Sequence, residues 1–581
     1  MPTISSRFAC VAVSCAAGAI IGLLYLPEPR AIYGALVLAG IVNYPPDSAQ
    51  GIYFHNVWTA IHQILAFFLW IGFGQSLVTY AFCASLGASF VAGLTLVTLA
   101  LTEKAILSLG VALLVVVCSF FVQGIDYPIL FISSHSFGQI ASSLTILGLG
   151  LFGNRKYASV GFVAGILPAF HPVVGSWTVG IVVIGSVLLR GQFRGDTPRL
   201  LKGLALGAIV SALSFIYFWV HRVPVAPAVD AAAFNDFLQY WDYHRQVPYT
   251  SRTALLTSIA LVLLLIIFEN GRRLRKPALV QMSFLLMIGA LGSLMVYEVV
   301  HRFHDHLPSV VNSAMLGRLV NIQYVLALPI LAGALYARQN VVLLVLAVPL
   351  IRAFYVTRNV QVLLVWCVIL AALYLTIRYL INRTTKTVAT PGENRFANRS
   401  VAFVLIGIGM AFAGSSLFAL STRPIPECNN TFIDDCRAPE VFQDMSRMEW
   451  KGLVAAPAGL AMMAHRHAHK AVLLGASGFD FVPYLPQTAA QVRDIVESVY
   501  GVDYKNPPPA FRNKGNVMQE MGRAHWAKLS NAEWNELARK FCIGAIIAPS
   551  DWAIQLTPNT DENNVRLYVL PDQDLDKCRI S

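Results

Sequence analysis

"YASVGFVAGILPAFHPVVGSWTVGIVVIGSVLL", residues 157–189, runs for thirty-three residues without a formal charge and is interrupted by "PAFHP" at 168–172. A helix needs about 20 apolar residues to cross roughly 30 Å of hydrocarbon, so the run is long for one crossing and barely long enough for two. Two prolines break backbone hydrogen bonding where they fall. Whether the chain crosses here once or twice sets the sidedness of everything before it. One long, kinked or partly re-entrant crossing is expected. Two full crossings would carry residues 27–56 to the other face and move Asp47 away from the site considered below.

The rest of the chain makes this a question about membranes. Of 581 residues, 56% are hydrophobic and 13% charged, and the mean hydropathy is +0.60; soluble proteins carry roughly 25% charged residues. About thirteen apolar runs are long enough to be considered as spans, near 8–26, 57–73, 78–101, 105–125, 129–153, 157–189, 203–220, 254–268, 278–300, 319–337, 340–355, 360–377 and 400–421. None alternates polar and apolar residues as a β-barrel strand does, so the expected fold class is a polytopic α-helical membrane protein with about 11 to 13 transmembrane helices. The first run follows only Arg7 and resembles a signal peptide, with small residues in "VSCAAGA". With many spans behind it, an uncleaved first helix is expected.

The net charge of +12 does not point to nucleic acid, because the densest basic stretches are short connectors: Arg190 to Lys202, Arg272 to Lys276, and Arg383 to Arg399. Such loops mark the cytoplasmic side, with anionic headgroup contact as a lesser contribution. Two spans separate the first connector from the second and four separate the second from the third, so all three fall on one side. One further span after Arg399 sends everything beyond Ser421 to the outer side, together with 222–252 and 301–318.

The domains expected are therefore a multi-spanning part over 1–421 and a soluble, extracytoplasmic α/β domain over 422–581. In the latter, "GLVAAP", "AVLLGAS" and "CIGAIIAPSD" read as buried strands, and "AAQVRDIVESVYG" and "NAEWNELARKF" as amphipathic helices. It has no glycine-rich nucleotide motif. Cysteines divide the same way. Cys10, Cys15, Cys83, Cys118 and Cys367 lie in apolar runs, whereas Cys428, Cys436, Cys542 and Cys578 lie in the polar part, where an even number suits an oxidising compartment and one or two disulfides of open connectivity. The sequon Asn429-Asn430-Thr431 sits between Cys428 and Cys436, in what reads as a small disulfide loop.

Two outward stretches carry candidate chemistry. "NYPPDSAQGIYFHNVW" holds Asp47, the last formal charge before Glu103, with fifty-five uncharged residues between. A lone carboxylate after two prolines, at the mouth of a bundle, is placed to act as general base on a hydroxyl acceptor; the competing role is to cap the helix that starts near Ser48. "HRFHDHLPSVVNSAMLGR", 301–318, follows Glu298 and carries His301, Arg302, His304, Asp305, His306 and Arg318. An ionisable residue at the end of a span usually faces a cavity or a partner. Arg302 and Arg318 offer the paired donors that suit a phosphate, and His304-Asp305-His306 offers donors for a divalent cation, given a third, distant ligand. The competing reading is an interfacial loop with snorkelling charges. "SSHSFGQ" at 133–139 falls on the face opposite Asp47 in this topology, and reads as polar helix packing. His171 lies inside a span, and "FNDFLQYWDYHRQVPY" at 234–249 mixes aromatics and charges as an interfacial helix does.

The layout resembles the GT-C superfamily of integral-membrane glycosyltransferases: a first helix, an outer loop with an acidic residue ("YPPDS"), many spans, a later basic outer loop ("HRFHDHLPSVVNSAMLGR") and an outer C-terminal α/β domain. The resemblance covers the whole chain as arrangement more than as motif. It implies a plasma (inner) membrane enzyme of cell-envelope polysaccharide synthesis, passing a sugar from a polyprenyl-phosphate donor to a glycan or lipid acceptor. Asp47 matches the catalytic acid of that family by position, and Arg302 or Arg318 would meet the carrier phosphate. The implied chemistry is direct displacement at the anomeric carbon, in a cavity that excludes water. The first loop lacks the acidic pair, and the chain lacks the tryptophan-rich signature, of the protein mannosyltransferase and oligosaccharyltransferase branches. A polysaccharide polymerase or ligase is the alternative enzyme. A transporter or flippase is the alternative without bond chemistry, disfavoured by the absence of an internal repeat.

Overall fold

The computed structural model describes residues 4–26, 29–121, 136–188, 196–225, 228–242, 261, 264–303, 307, 321–337, 440–475, 481–512, 520–562 and 564–571. In chain order the helical part contains α1 (Ile4–Tyr25), α2 (Ala31–Leu38), α3 (Ala49–Asn56), α4 (Ala60–Trp70), α5 (Gln75–Thr102), α6 (Ala105–Phe121), α7 (Phe137–Gly153), α8 (Tyr157–Phe170) and α9 (Pro172–Leu188). It continues with α10 (Thr197–His221), α11 (Ala231–Asp236) with a π-helical turn over Phe237–Trp241, α12 (Pro277–Phe303) and α13 (Asn321–Ala337). Among the described residues four helices are long and apolar enough to cross a membrane: Arg7–Leu24, Gln75–Thr102, Thr197–His221 and Pro277–Val296; five more apolar helices are shorter.

Glycines decide how the long helices meet. α1 and α5 are antiparallel, Gly18 lying against Gly87 and Gly22 against Cys83; α8 and α10 are parallel, Gly161 lying against Leu200 and Gly203 against Ala158. A Cβ at any of these five glycines would press into a backbone oxygen of the facing helix. Small residues let the backbones touch, and in apolar surroundings such packing is a main source of helix association. α7 runs parallel to α5, with Gly93 on Leu147 and Gly153 on Ala100, and the Asn154 side chain donates to the Leu96 carbonyl at 2.7 Å.

Residues 157–189 form a hairpin of two helices, which corrects the expected single crossing. Pro168 lies inside the last turn of α8, which ends at Phe170; His171 is extended (φ −154°, ψ 108°), and Pro172 opens α9, where its fixed φ fits a first helical position. Gly175 packs on Leu167 and Pro168, closing the turn, and Thr178 pairs with Thr145 of α7 at 2.9 Å. A second correction offsets the first. The stretch 57–73 does not run along the bundle: α4 has 11 residues, about 16 Å at 1.5 Å per residue. Near its start Gln63 hydrogen-bonds Ser214 close to the end of α10, and past its end Gln75 meets His469 of the C-terminal part at 3.2 Å. Five helices, α5 to α9, therefore separate the first loop from the 190–202 connector. The number is odd, so residues 29–58, the ends of α10 and α12 and the C-terminal part share one end of the bundle.

The C-terminal part is a small α/β unit: α14 (Glu440–Arg447), β1 (Leu453–Ala455), α15 (Ala458–His467), α16 (Ala489–Ser498), α17 (Asn531–Phe541), β2 (Ile543–Pro549), β3 (Thr560–Glu562) and β4 (Val565–Val569). The sheet order is β1-β2-β4-β3, with β1 parallel to β2 and the other pairs antiparallel. "AVLLGAS" contributes a bridge from Val472 to Val454 rather than a full strand. β2 is buried on both sides, as its unbroken apolar run implies. Ala545 and Ile547 face α14 and α15. Ile546 and Ala548 face the other way, into a core that also holds α16, α17 and, from the first loop, Ile32, Leu36 and Phe54. A capping box of Ser530 and Glu533 starts α17. Cys542 is disulfide-bonded, whereas Cys10, Cys15 and Cys83 of the bundle are free thiols.

Candidate functional site under the C-terminal unit

The first loop is held from above. Between α2 and α3 the chain reads "NYPPDSAQ", and three of its residues are tied to the C-terminal unit. Val472 N–H donates to the Tyr44 hydroxyl at 3.3 Å, and the same hydroxyl lies 2.8 Å from Nδ1 of His465. Nε2 of His465 lies 3.2 Å from the Tyr33 carbonyl, which can only accept. His465 therefore carries its proton on Nε2 and accepts the Tyr44 proton at Nδ1. Three residues past Asp47, Gln50 Oε1 accepts from Gly475 N–H at 2.7 Å. Between them Gln491 donates to the Asp47 carbonyl at 2.9 Å.

His465 is wrapped in rings: Tyr33 at 5.3 Å, Phe54 at 5.7 Å and Tyr44 at 5.7 Å between centroids. Burial pushes it down to about 4, against a smaller opposing effect of the Tyr33 carbonyl. Burial likewise pushes the Tyr44 hydroxyl far above its ordinary value. Both groups are neutral at physiological pH, and their hydrogen bonds require that.

Asp47 itself is half-buried. It does not cap α3; Ser48 does, accepting from Gly51 N–H at 3.2 Å. Asp47 enters through its backbone, and no hydrogen bond or ion pair engages its carboxylate among the described residues. The backbone at Asp47 is thus held in place while the carboxylate oxygens stay uncommitted, and a general base needs free oxygens at a fixed position.

A second pair of contacts closes the roof. Asp230 caps α11 by accepting from Ala233 N–H at 3.0 Å, and accepts from Arg493 of α16 at 3.1 Å; the helix N–H first and the guanidinium next hold its carboxyl below the usual range. Trp241 donates to the Tyr504 carbonyl at 2.9 Å and stacks on its ring at 5.6 Å. The 234–242 stretch read as interfacial is instead part of the contact with the C-terminal unit, with Trp241 and Asp242 fully buried.

Residues 136–140 also sit at this end, which corrects their expected placement opposite Asp47. Phe137 meets the His62 ring at 5.2 Å, and His62 meets Phe54 at 6.4 Å. The reason is α4 alone: with 57–73 not crossing, two helices, α5 and α6, separate the first loop from the start of α7, and an even number returns the chain to the same end. Ser133 and His135 lie outside the described residues.

The other candidate stretch is described in part. Glu298 and Arg302 form an ion pair on the last turns of α12, Nε to Oε1 at 2.6 Å, with their side chains 43% and 69% exposed. Their end of α12 is the capped end, since Gly292 packs on Trp177 near the start of α9. His301 belongs to the last turn of α12, while His304, Asp305, His306 and Arg318 lie outside the described residues. Among the described residues no set of three His, Cys, Asp or Glu side chains is arranged to hold a metal ion. Sequence reasoning passed over Tyr44, Gln50 and His465. The signal for the last was "AHRHAHK" at 464–470, three histidines in an otherwise apolar-packed helix end. No family model matches this chain, and no curated protein or solved structure is found to be similar to it.

Proposed function

We propose that the chain is a multi-pass membrane glycosyltransferase that moves a sugar from a polyprenyl-phosphate donor to a glycan or lipid acceptor, with Asp47 as the base that deprotonates the acceptor hydroxyl. The observation that carries this is the state of Asp47: backbone clamped by Gln491, neighbours clamped by His465 and Gly475, carboxylate uncommitted. In the reaction the acceptor oxygen forms a bond to the anomeric carbon, the carrier phosphate leaves with the bonding electrons, and Asp47 takes the acceptor proton. Arg302, and Arg318 beyond the described residues, are the cations suited to the departing phosphate.

The capped end is proposed to face the outer side of the plasma membrane. Cys542 is disulfide-bonded on that end, which fits an oxidising compartment. The opposite end carries Lys104, Arg155, Lys156 and the run Arg272 to Lys276, as cytoplasmic loops do.

The test is Asp47→Asn in the full-length protein, assayed with radiolabelled polyprenyl-phosphate pentose and hexose donors. Transfer is expected to fall by about 10² to 10⁴-fold, with thermal stability and donor binding unchanged. Full activity in Asp47→Asn would show that Asp47 is not the base. Donor translocation without any glycosidic product, in the unaltered protein, would replace transfer with transport.

A further inference from the structure

Six large apolar side chains in ten residues stand exposed on one face at the capped end: Ile64, Phe67, Phe68 and Trp70 of α4, then Ile71 and Phe73 just past it, with Trp70 74% exposed. The other face of α4, including Ile61, Leu65 and Leu69, is buried in the core shared with α2. No formal charge lies anywhere between Asp47 and Glu103, so this helix has no hydrated stripe of the kind a water-facing amphipathic helix carries. Exposed apolar patches of this size mark an interaction surface.

What covers it is settled by depth. Gln63 donates to the Ser214 carbonyl at 2.9 Å and Trp58 to the Ser214 hydroxyl at 3.1 Å. One turn further along α10, Tyr217 stacks on His221 at 4.1 Å, and Arg222 lies 3.3 Å over Trp219. Aromatic and cationic side chains gathered at the end of an apolar helix belong at the boundary between hydrocarbon and headgroups. Below that boundary α10 presents exposed Leu206, Val210, Leu213 and Phe215, and α10 is itself long and apolar enough to cross a membrane. The exposed face of α4 continues this surface. Since Gln75 beyond the other end of α4 reaches His469 of the C-terminal unit, both ends of the helix lie at the height of the boundary.

The geometry points to α4 as a lipid-embedded ledge: a helix lying in the membrane plane just beneath the headgroups on the capped side, its Ile64 to Phe73 face covered by acyl chains of that leaflet. Its buried face carries His62 against Gly34 and Phe54, so the ledge sets the height of the first loop above the hydrocarbon. This holds whichever reaction the protein performs.

The experiment uses the full-length protein in nanodiscs of phosphatidylcholine and phosphatidylglycerol, with an environment-sensitive fluorescent amino acid substituted in turn for Phe67, Phe68 and Trp70. Leu213 of α10 serves as the lipid-facing reference and the exposed Glu536 of α17 as the aqueous one. Phospholipids brominated near the top of the acyl chain are expected to quench all three positions about equally and as strongly as Leu213, while aqueous iodide quenches only the Glu536 position. Iodide quenching at α4 equal to that at Glu536 would overturn the ledge in favour of a hydrated surface. Protection from both quenchers would mean that protein covers the face. Quenching that shifts from shallow to deep bromines along positions 67 to 70 would mean that the helix points into the bilayer instead of lying flat.

Discussion

Residues 44–51 and 298–303 reach the same end of the bundle, and each carries charge that a transferase of lipid-linked sugars could use, yet they are held in opposite ways. The first is joined to distant elements by hydrogen bonds from Tyr44, Asp47 and Gln50, most of them buried or half-buried. The second is joined to itself, by one exposed pair a single helical turn apart. An exposed ion pair of this kind contributes roughly 0 to 1 kcal/mol, whereas a buried donor or acceptor left without its partner costs about 1 to 3 kcal/mol. Position is therefore enforced at Asp47 and left adjustable at Arg302. On the function proposed above, a base that must meet one hydroxyl needs the former, and a cation that must follow a departing phosphate tolerates the latter.

The strongest way to break this contrast is His465→Ala. It strips the Tyr44 hydroxyl and the Tyr33 carbonyl of a partner and leaves a void among three rings, an expected loss of about 3 to 5 kcal/mol, read by denaturant unfolding and by proteolytic release of the C-terminal unit. Unchanged stability and protease resistance would mean that the clamp holds nothing.

Acid probes the same clamp with no substitution. His465 is held at about 4 in the folded state against an ordinary value of 6.5. The unfolded chain therefore binds the extra proton first as pH falls. Stability is complete above about pH 6.5, declines between 6.5 and 4, and by pH 4 has lost roughly 3 kcal/mol from this group. His467, also held at about 4, acts in the same direction. A stability profile flat from pH 7 to 4 would contradict the buried, neutral imidazole, and His465→Gln should flatten part of the slope seen in the unaltered protein.

Tyr44→Phe is the milder cut. It keeps the ring among its neighbours but leaves His465 Nδ1 and Val472 N–H unsatisfied, for an expected loss of about 1 to 3 kcal/mol. At the other stretch Glu298→Gln should change stability by no more than about 0.5 kcal/mol, measured by the same unfolding curves. A loss there as large as that of Tyr44→Phe would erase the distinction between the two stretches.

The parts of this molecule that could be read in advance are those whose cause is local. β2 followed from an unbroken apolar run, α17 from the amphipathic pattern of "NAEWNELARKF", and the free thiols of Cys10, Cys15 and Cys83 and the bonded Cys542 from the composition around them. Apolar length proved ambiguous where a helix was neither long nor clearly broken. "AIHQILAFFLW" is as greasy as a span but lies across the bundle, and "PAFHP" is a hairpin turn because His171 turns extended and Pro172 starts a new helix, whereas Pro168 stays within α8. The β3–β4 hairpin was overlooked although "VRLYV" alternates. The clamp was out of reach, because nothing near Tyr44 in the chain hints at His465 and the pairing exists only once the sheet has brought α15 over the loop.

That pairing joins residues 421 positions apart. At roughly 5 to 20 residues per second of synthesis, the first loop waits on the order of 20 to 80 seconds for the partner that fixes it. Until the last quarter of the chain has been made and folded, the Asp47 loop has helices beneath it and nothing above. A half-made copy already seated in its bilayer therefore carries the carboxylate but not the geometry, and the order of translation itself delays the assembled site until the protein is whole.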